Sequence, residues 1–141
     1  MTHTASKDLC QELYELSGWD DTGLYWYEEH DYDDNPDGRG DFYHEPRIYT
    51  QMEIEETGSG GGGKRTQAYD LGCLLRKLPK SDDDIGDLTI TFREGSSWFC
   101  GYFVVGDPFP NSGAWANTPE DAACKLAIEL FKNGILTRSE N

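Results

Sequence analysis

Apolar positions recur along the chain at two spacings, about 3.6 and 2 residues, and the switches between them lay out an order of elements. Near the C-terminus Ala123, Leu126, Ala127 and Leu130 follow the i, i+3, i+4, i+7 pattern of one helical face, with Cys124, Ile128 and Phe131 widening it. Both ends of this helix are marked. Thr118 can accept a hydrogen bond from a free N–H of the first turn, Pro119 suits the first helical position, and Glu120 with Asp121 complements the positive end of the dipole. Lys132 falls in the last turn, and Gly134 can take the left-handed closing conformation, after which Ile135 or Leu136 folds back. The spacing predicts a helix over 118–136 that needs an apolar surface to lie on. A second helix is expected after Ser6, lined by Leu9, Leu13 and Leu16 with Cys10 and Tyr14 beside them, and ended by Ser17 and Gly18. A third is expected from a Thr66 cap through Leu71, Leu74, Leu75 and Leu78 to the stop at Pro79.

Period-two patterns supply the strands. Over 47–55, Ile48, Thr50, Met52 and Ile54 alternate with Tyr49, Gln51, Glu53 and Glu55, which reads as one half-buried strand. Leu88, Ile90 and Phe92 alternate with Thr89, Thr91 and Arg93, and a turn at Gly95 leads into 97–105. That run is apolar on both faces, so it is expected to be central in its sheet or to present one face to a partner. Gly101 within it marks a bulge or a close backbone approach. The Pro- and Gly-punctuated 106–117 reads as a loop, and 57–65, around GSGGGG, as a flexible connector. The expectation is a single α+β domain over 1–141, order α-β-α-β-β-α, with helices on one face of an antiparallel sheet of three to four strands.

Charge changes what such a domain can meet. The 141 residues carry 27 Asp and Glu against 12 Lys and Arg, a formal net charge of -15. Repulsion of this size disfavours bare nucleic acid and anionic membranes and points to cationic partners. No apolar run reaches the 18 residues of a membrane span, and MTHTASKDL lacks the apolar core of a signal peptide, so a cytoplasmic setting is expected. Cys10, Cys73, Cys100 and Cys124 form no CxxC pair and read as buried, reduced thiols. Neither a GxSxG elbow nor a phosphate-loop or dinucleotide fingerprint occurs; no catalytic constellation and no cofactor are expected.

The charge is concentrated. Between residues 20 and 45 ten acids face one base, Arg39, and the same stretch holds six aromatics, with Trp19 just before it. A purely disordered acidic tail would have few rings, so part of this segment is expected to fold onto the core. Carboxylates steer a basic partner while aromatics anchor it, which nominates Asp20, Asp21, Tyr25, Trp26, Glu28, Glu29, Asp31, Tyr32, Asp33, Asp34, Asp37 and Asp41 as a partner-binding set. Mimicry of nucleic acid would need several acidic elements side by side. Same-face acids on one strand lie about 6.6 Å apart, whereas duplex DNA carries a charge per about 1.7 Å of axis. The alternative reading is a metal loop: Asp33, Asn35 and Asp37 with Gly38 match the first half of a calcium loop, but position twelve is His44 and Glu45 comes one place late. A third reading is a structural domain that self-associates through 97–105.

ELYELSGW, AYDLGCLLRKLP, LTITFREGSSWFCGYF and TPEDAACKLAIELFKNGIL together resemble small acidic proteins encoded by phages and prophages of gut bacteria. The resemblance rests on caps and apolar stripes and carries over no catalytic residue. It implies a setting in which small acidic proteins block host defence, including anti-CRISPR proteins that occupy basic nucleic-acid channels. The function expected is that of a non-enzymatic inhibitor of a basic, nucleic-acid-handling partner.

Overall fold

The computed structural model describes residues 3–28, 30–31, 42–43, 46–56, 64–82, 86–93, 97–104 and 112–138. The fold is α+β, as the patterning predicts, but it is built on more than one sheet. Helix α1 (Lys7–Ser17) is followed by strands β1 (Leu24–Glu28), β2 (His30–Asp31), β3 (Phe42–Tyr43) and β4 (Arg47–Thr50). Then come α2 (Gln51–Glu56), β5 (Lys64–Gln67), α3 (Leu71–Lys77), β6 (Ser81–Asp82), β7 (Gly86–Arg93), β8 (Ser97–Phe103), β9 (Ser112–Ala116) and α4 (Pro119–Lys132). One sheet has the order β4-β1-β5, a second is the pair β2-β3, and the third is β6-β7-β8-β9; all pairings are antiparallel.

Helix α4 is the hub. Thr118 Oγ1 accepts from Asp121 N–H at 3.1 Å. At the other end Ile135 N–H donates to the Leu130 carbonyl at 2.9 Å and Gly134 N–H to Phe131 at 3.2 Å. These are the two bonds of a Schellman closure, and Gly134 takes the positive φ of 78° it requires. Ala122, Ala123, Cys124, Leu126, Ala127, Ile128 and Leu130 are buried, so more than one stripe of this helix is covered. It lies against α1 and α3 on one side and β8 and β9 on the other. Helix α1 is tied to it end to end: Ser6 N–H donates to Asp121 Oδ1 at 2.7 Å, so the open end of α1 is capped from the first turn of α4 rather than by Ser6 itself.

Strand β8 is central, with β7 and β9 on its two sides. Cys100 and Tyr102 face the helices and are fully buried, joined by Leu88, Ile90, Trp98, Ala114 and Ala116 from the same face. Three expectations need correction. The reading of 47–55 as one strand fails because Thr50 and Glu53 form a reciprocal cap: Glu53 N–H donates to Thr50 Oγ1 at 3.2 Å and Thr50 N–H to Glu53 Oε1 at 3.0 Å, turning the chain into α2. The third helix starts at Leu71, not after Thr66, because Asp70 caps it by accepting from Cys73 N–H at 2.8 Å, while 64–67 pairs with β1 and takes Lys64 and Arg65 out of the connector. The 106–117 loop contains β9, which extends the sheet beyond β8.

Candidate partner-binding surface

The acidic segment folds back on itself. β1 pairs with β4 from Leu24↔Thr50 to Tyr27↔Arg47, and β2 pairs with β3 at His30↔Tyr43 and Asp31↔Phe42. The two arms flanking residues 32–41 therefore run side by side. Of the nominated residues, Glu29, Tyr32, Asp33, Asp34, Asp37 and Asp41 lie outside the described residues, as do Asn35 and the half calcium loop.

The other nominated residues divide by environment. Asp20 and Asp21 precede β1 and are exposed. Lys77 Nζ reaches Asp21 at 2.9 Å and sits 5.7 Å from the Trp19 ring centre; its hydrogen bond holds the Asp21 carboxyl below the usual carboxylate range. Glu28 meets Lys7 at 3.2 Å with its side chain only 17% exposed. The rings are largely committed to the fold. Trp26 Nε1–H donates to the Ala5 carbonyl at 3.1 Å and the indole packs on the core. Tyr25 lies under Arg65, whose guanidinium carbon is 5.4 Å from the ring centre. Tyr27, not among the nominated residues, is 2% exposed and meets Tyr49 edge-on at 5.4 Å. Asp31 is placed by the β2–β3 ladder.

Strand alternation sorts the β1–β4 pair into two faces. Tyr25, Tyr27, Arg47 and Tyr49 share one; Leu24, Trp26, Ile48 and Thr50 share the other. The second face lines a groove of about 600 Å³, together with His3, Thr4, Pro46, Arg47 and Glu53. Sequence reading missed His3, Thr4, Ile48 and Glu53 as surface-forming residues. For Glu53 a signal was present, because Thr50-x-x-Glu53 is a capping-box spacing that places the carboxylate at a helix start. His3 carried no such signal, since its place depends on the N-terminal segment pairing at Thr4↔Asp70.

Among the described residues no three His, Cys, Asp or Glu come together as a metal could require. All four cysteines are free and buried. Burial pushes the Cys10 thiol up to about 11 and the Cys100 thiol to about 12, and raises those of Cys73 and Cys124, the reverse of nucleophile activation. No helix among the described residues is long and apolar enough to cross a membrane. Comparison with protein-family models, with curated proteins and with solved structures finds no match.

Proposed function

We propose that this protein is a non-enzymatic binding protein whose acidic hairpin docks on a basic surface of a partner, one that ordinarily handles nucleic acid. The observation that supports this reading is the pairing of β1 with β4 and of β2 with β3. The acids of the described strands, Glu28 and Asp31, both lie on the first arm, while β3 and β4 carry none, so the pairing supports the reading by giving the acidic run a partner strand about 4.8 Å away that adds no acid of its own. The resemblance to phage proteins supplies a setting in which blocking such a host surface is useful.

The test compares two sets of four neutralised acids, each leaving the same net charge. In one, Asp31, Asp33, Asp34 and Asp37 become Asn; in the other, Asp8, Glu15, Glu120 and Glu129 on the two long helices become Asn or Gln. Binding to poly-L-lysine is read at low and high NaCl. The hairpin set is expected to weaken binding several times more than the helical set, and wild-type binding to fall steeply with salt. Equal losses from the two sets, or affinity indifferent to salt, remove the proposal.

A further inference from the structure

The groove beside β1 and β4 combines three features. Its floor is the indole of Trp26 with Leu24 and Ile48. The only polar hydrogen of that indole is spent on the Ala5 carbonyl, so the part of the ring that lines the groove is apolar. Glu53 lines the groove; one carboxylate oxygen accepts from Thr50 N–H, which leaves lone pairs for a further donor. Among the described residues no Lys or Arg pairs with Glu53. Lys7 is taken by Glu28, Arg65 by Gln51 and the Tyr25 ring, and Arg47, although it borders the groove, alternates to the opposite face with Tyr49. His3 is the remaining titratable group on the wall.

We infer that this groove seats one cationic side chain of the partner, an arginine or lysine, with its stem along Leu24 and Ile48 and its charge between the Trp26 indole and the Glu53 carboxylate. A cation over an indole is attracted by the ring quadrupole, most strongly where water is partly excluded. The aliphatic stem of Arg or Lys covers apolar surface while its head stays polar. A volume of about 600 Å³ takes the whole side chain with its flanking backbone. The inference rests on the basic-partner reading above and names the contact by which one basic residue would be gripped rather than merely steered.

The experiment uses the full chain, isotopically labelled, and follows the Trp26 indole N–H resonance, assigned with Trp26→Phe. Arginine amide and citrulline amide are titrated in turn; the second replaces the guanidinium with a neutral urea of the same shape. Arginine amide is expected to move the resonance saturably and citrulline amide to leave it in place. Glu53→Gln keeps the reciprocal cap, because Gln serves at that position, while removing the charge. It is expected to weaken arginine amide about two- to fivefold, the range for a partly exposed ion pair. A still resonance, an equal response to citrulline amide, or undiminished binding by E53Q overturns the inference. Poly-L-lysine added to the same sample separates the two levels: salt-sensitive binding with a still Trp26 signal removes the groove and leaves the hairpin reading, whereas loss of both removes the hairpin reading itself.

Discussion

Gly101 and Gly113 stand opposite each other in β8 and β9, and the ring of Phe99 lies across both. A Cβ on Gly101 would come 2.5 Å from the tip of that ring and 2.4 Å from the Ser112 carbonyl oxygen. Phe99 is buried against its own sheet this way, with Phe103 at 5.6 Å and the half-exposed Trp115 at 5.0 Å. Gly101→Ala is expected to cost about 1–3 kcal/mol, the usual cost of overpacking, because a backbone carbonyl cannot step aside. Urea unfolding measures it, and a loss under about half a kcal/mol contradicts the contact. The glycine inside an apolar run was legible as a close approach. Gly113 was not, because 106–117 reads as a loop until β9 is seen to pair. The thiols make a second residue-scale prediction. Cys10 and Cys100 have folded values of about 11 and about 12 against an ordinary 9.0. Thiols in the unfolded chain ionise first, so the stability they contribute is complete below about pH 9 and is lost as pH climbs toward 11. The urea midpoint should fall between about pH 8.5 and 10.5, and Cys100→Ala should flatten that fall.

Helix ends decided which elements could be read in advance. Thr118, Pro119 and Gly134 bracket α4 with local signals, and both bracketing motifs form as the residues imply. Leu130 lies fully buried in the core and its carbonyl accepts from two N–H groups, those of Ile135 and Leu136. Leu130→Ala should cost about 2–5 kcal/mol, the range for a Leu truncated in a core. The elements misread were those in which two local signals competed. Over 47–55 the alternation is genuine as far as Thr50, where a cap of two reciprocal hydrogen bonds outweighs a strand pattern that has no further partner. Around 64–70 the stronger cap is Asp70 rather than Thr66, because β1 recruits 64–67 across about forty residues of chain, a pairing with no local trace. Thr50→Ala is expected to lower stability by about 0.5–2 kcal/mol through loss of the α2 cap. The same change should perturb the groove, since Glu53 is positioned by that cap.

The whole molecule carries a formal charge of -15, legible from composition alone, whereas its disposition was not. Charge and fold pull in opposite directions here. The described pairs Lys7–Glu28, Lys77–Asp21 and Lys132–Glu12 are attractive, but exposed pairs contribute only about 0–1 kcal/mol each. With 27 acids against 12 bases, most carboxylates have no cation to meet, and compaction brings them closer together than they are in the unfolded chain. Salt acts on both sets through screening, whose range shrinks from about 30 Å at 10 mM to about 10 Å at 100 mM. Contacts near 3 Å lie well inside either range, while repulsions across the molecule fall between the two. Repulsion should therefore be relieved more than attraction is lost. The urea midpoint is expected to rise between about 10 and 100 mM NaCl with an unchanged m-value, the signature of altered stability without altered compactness. A midpoint that falls would mean that the short pairs dominate and that the surplus acids already have compensating neighbours. In that case little unopposed charge would be left to draw a basic partner, and salt would weaken folding and binding together. A rise keeps the two apart: the same screening that steadies the fold removes the field by which it would recruit its target.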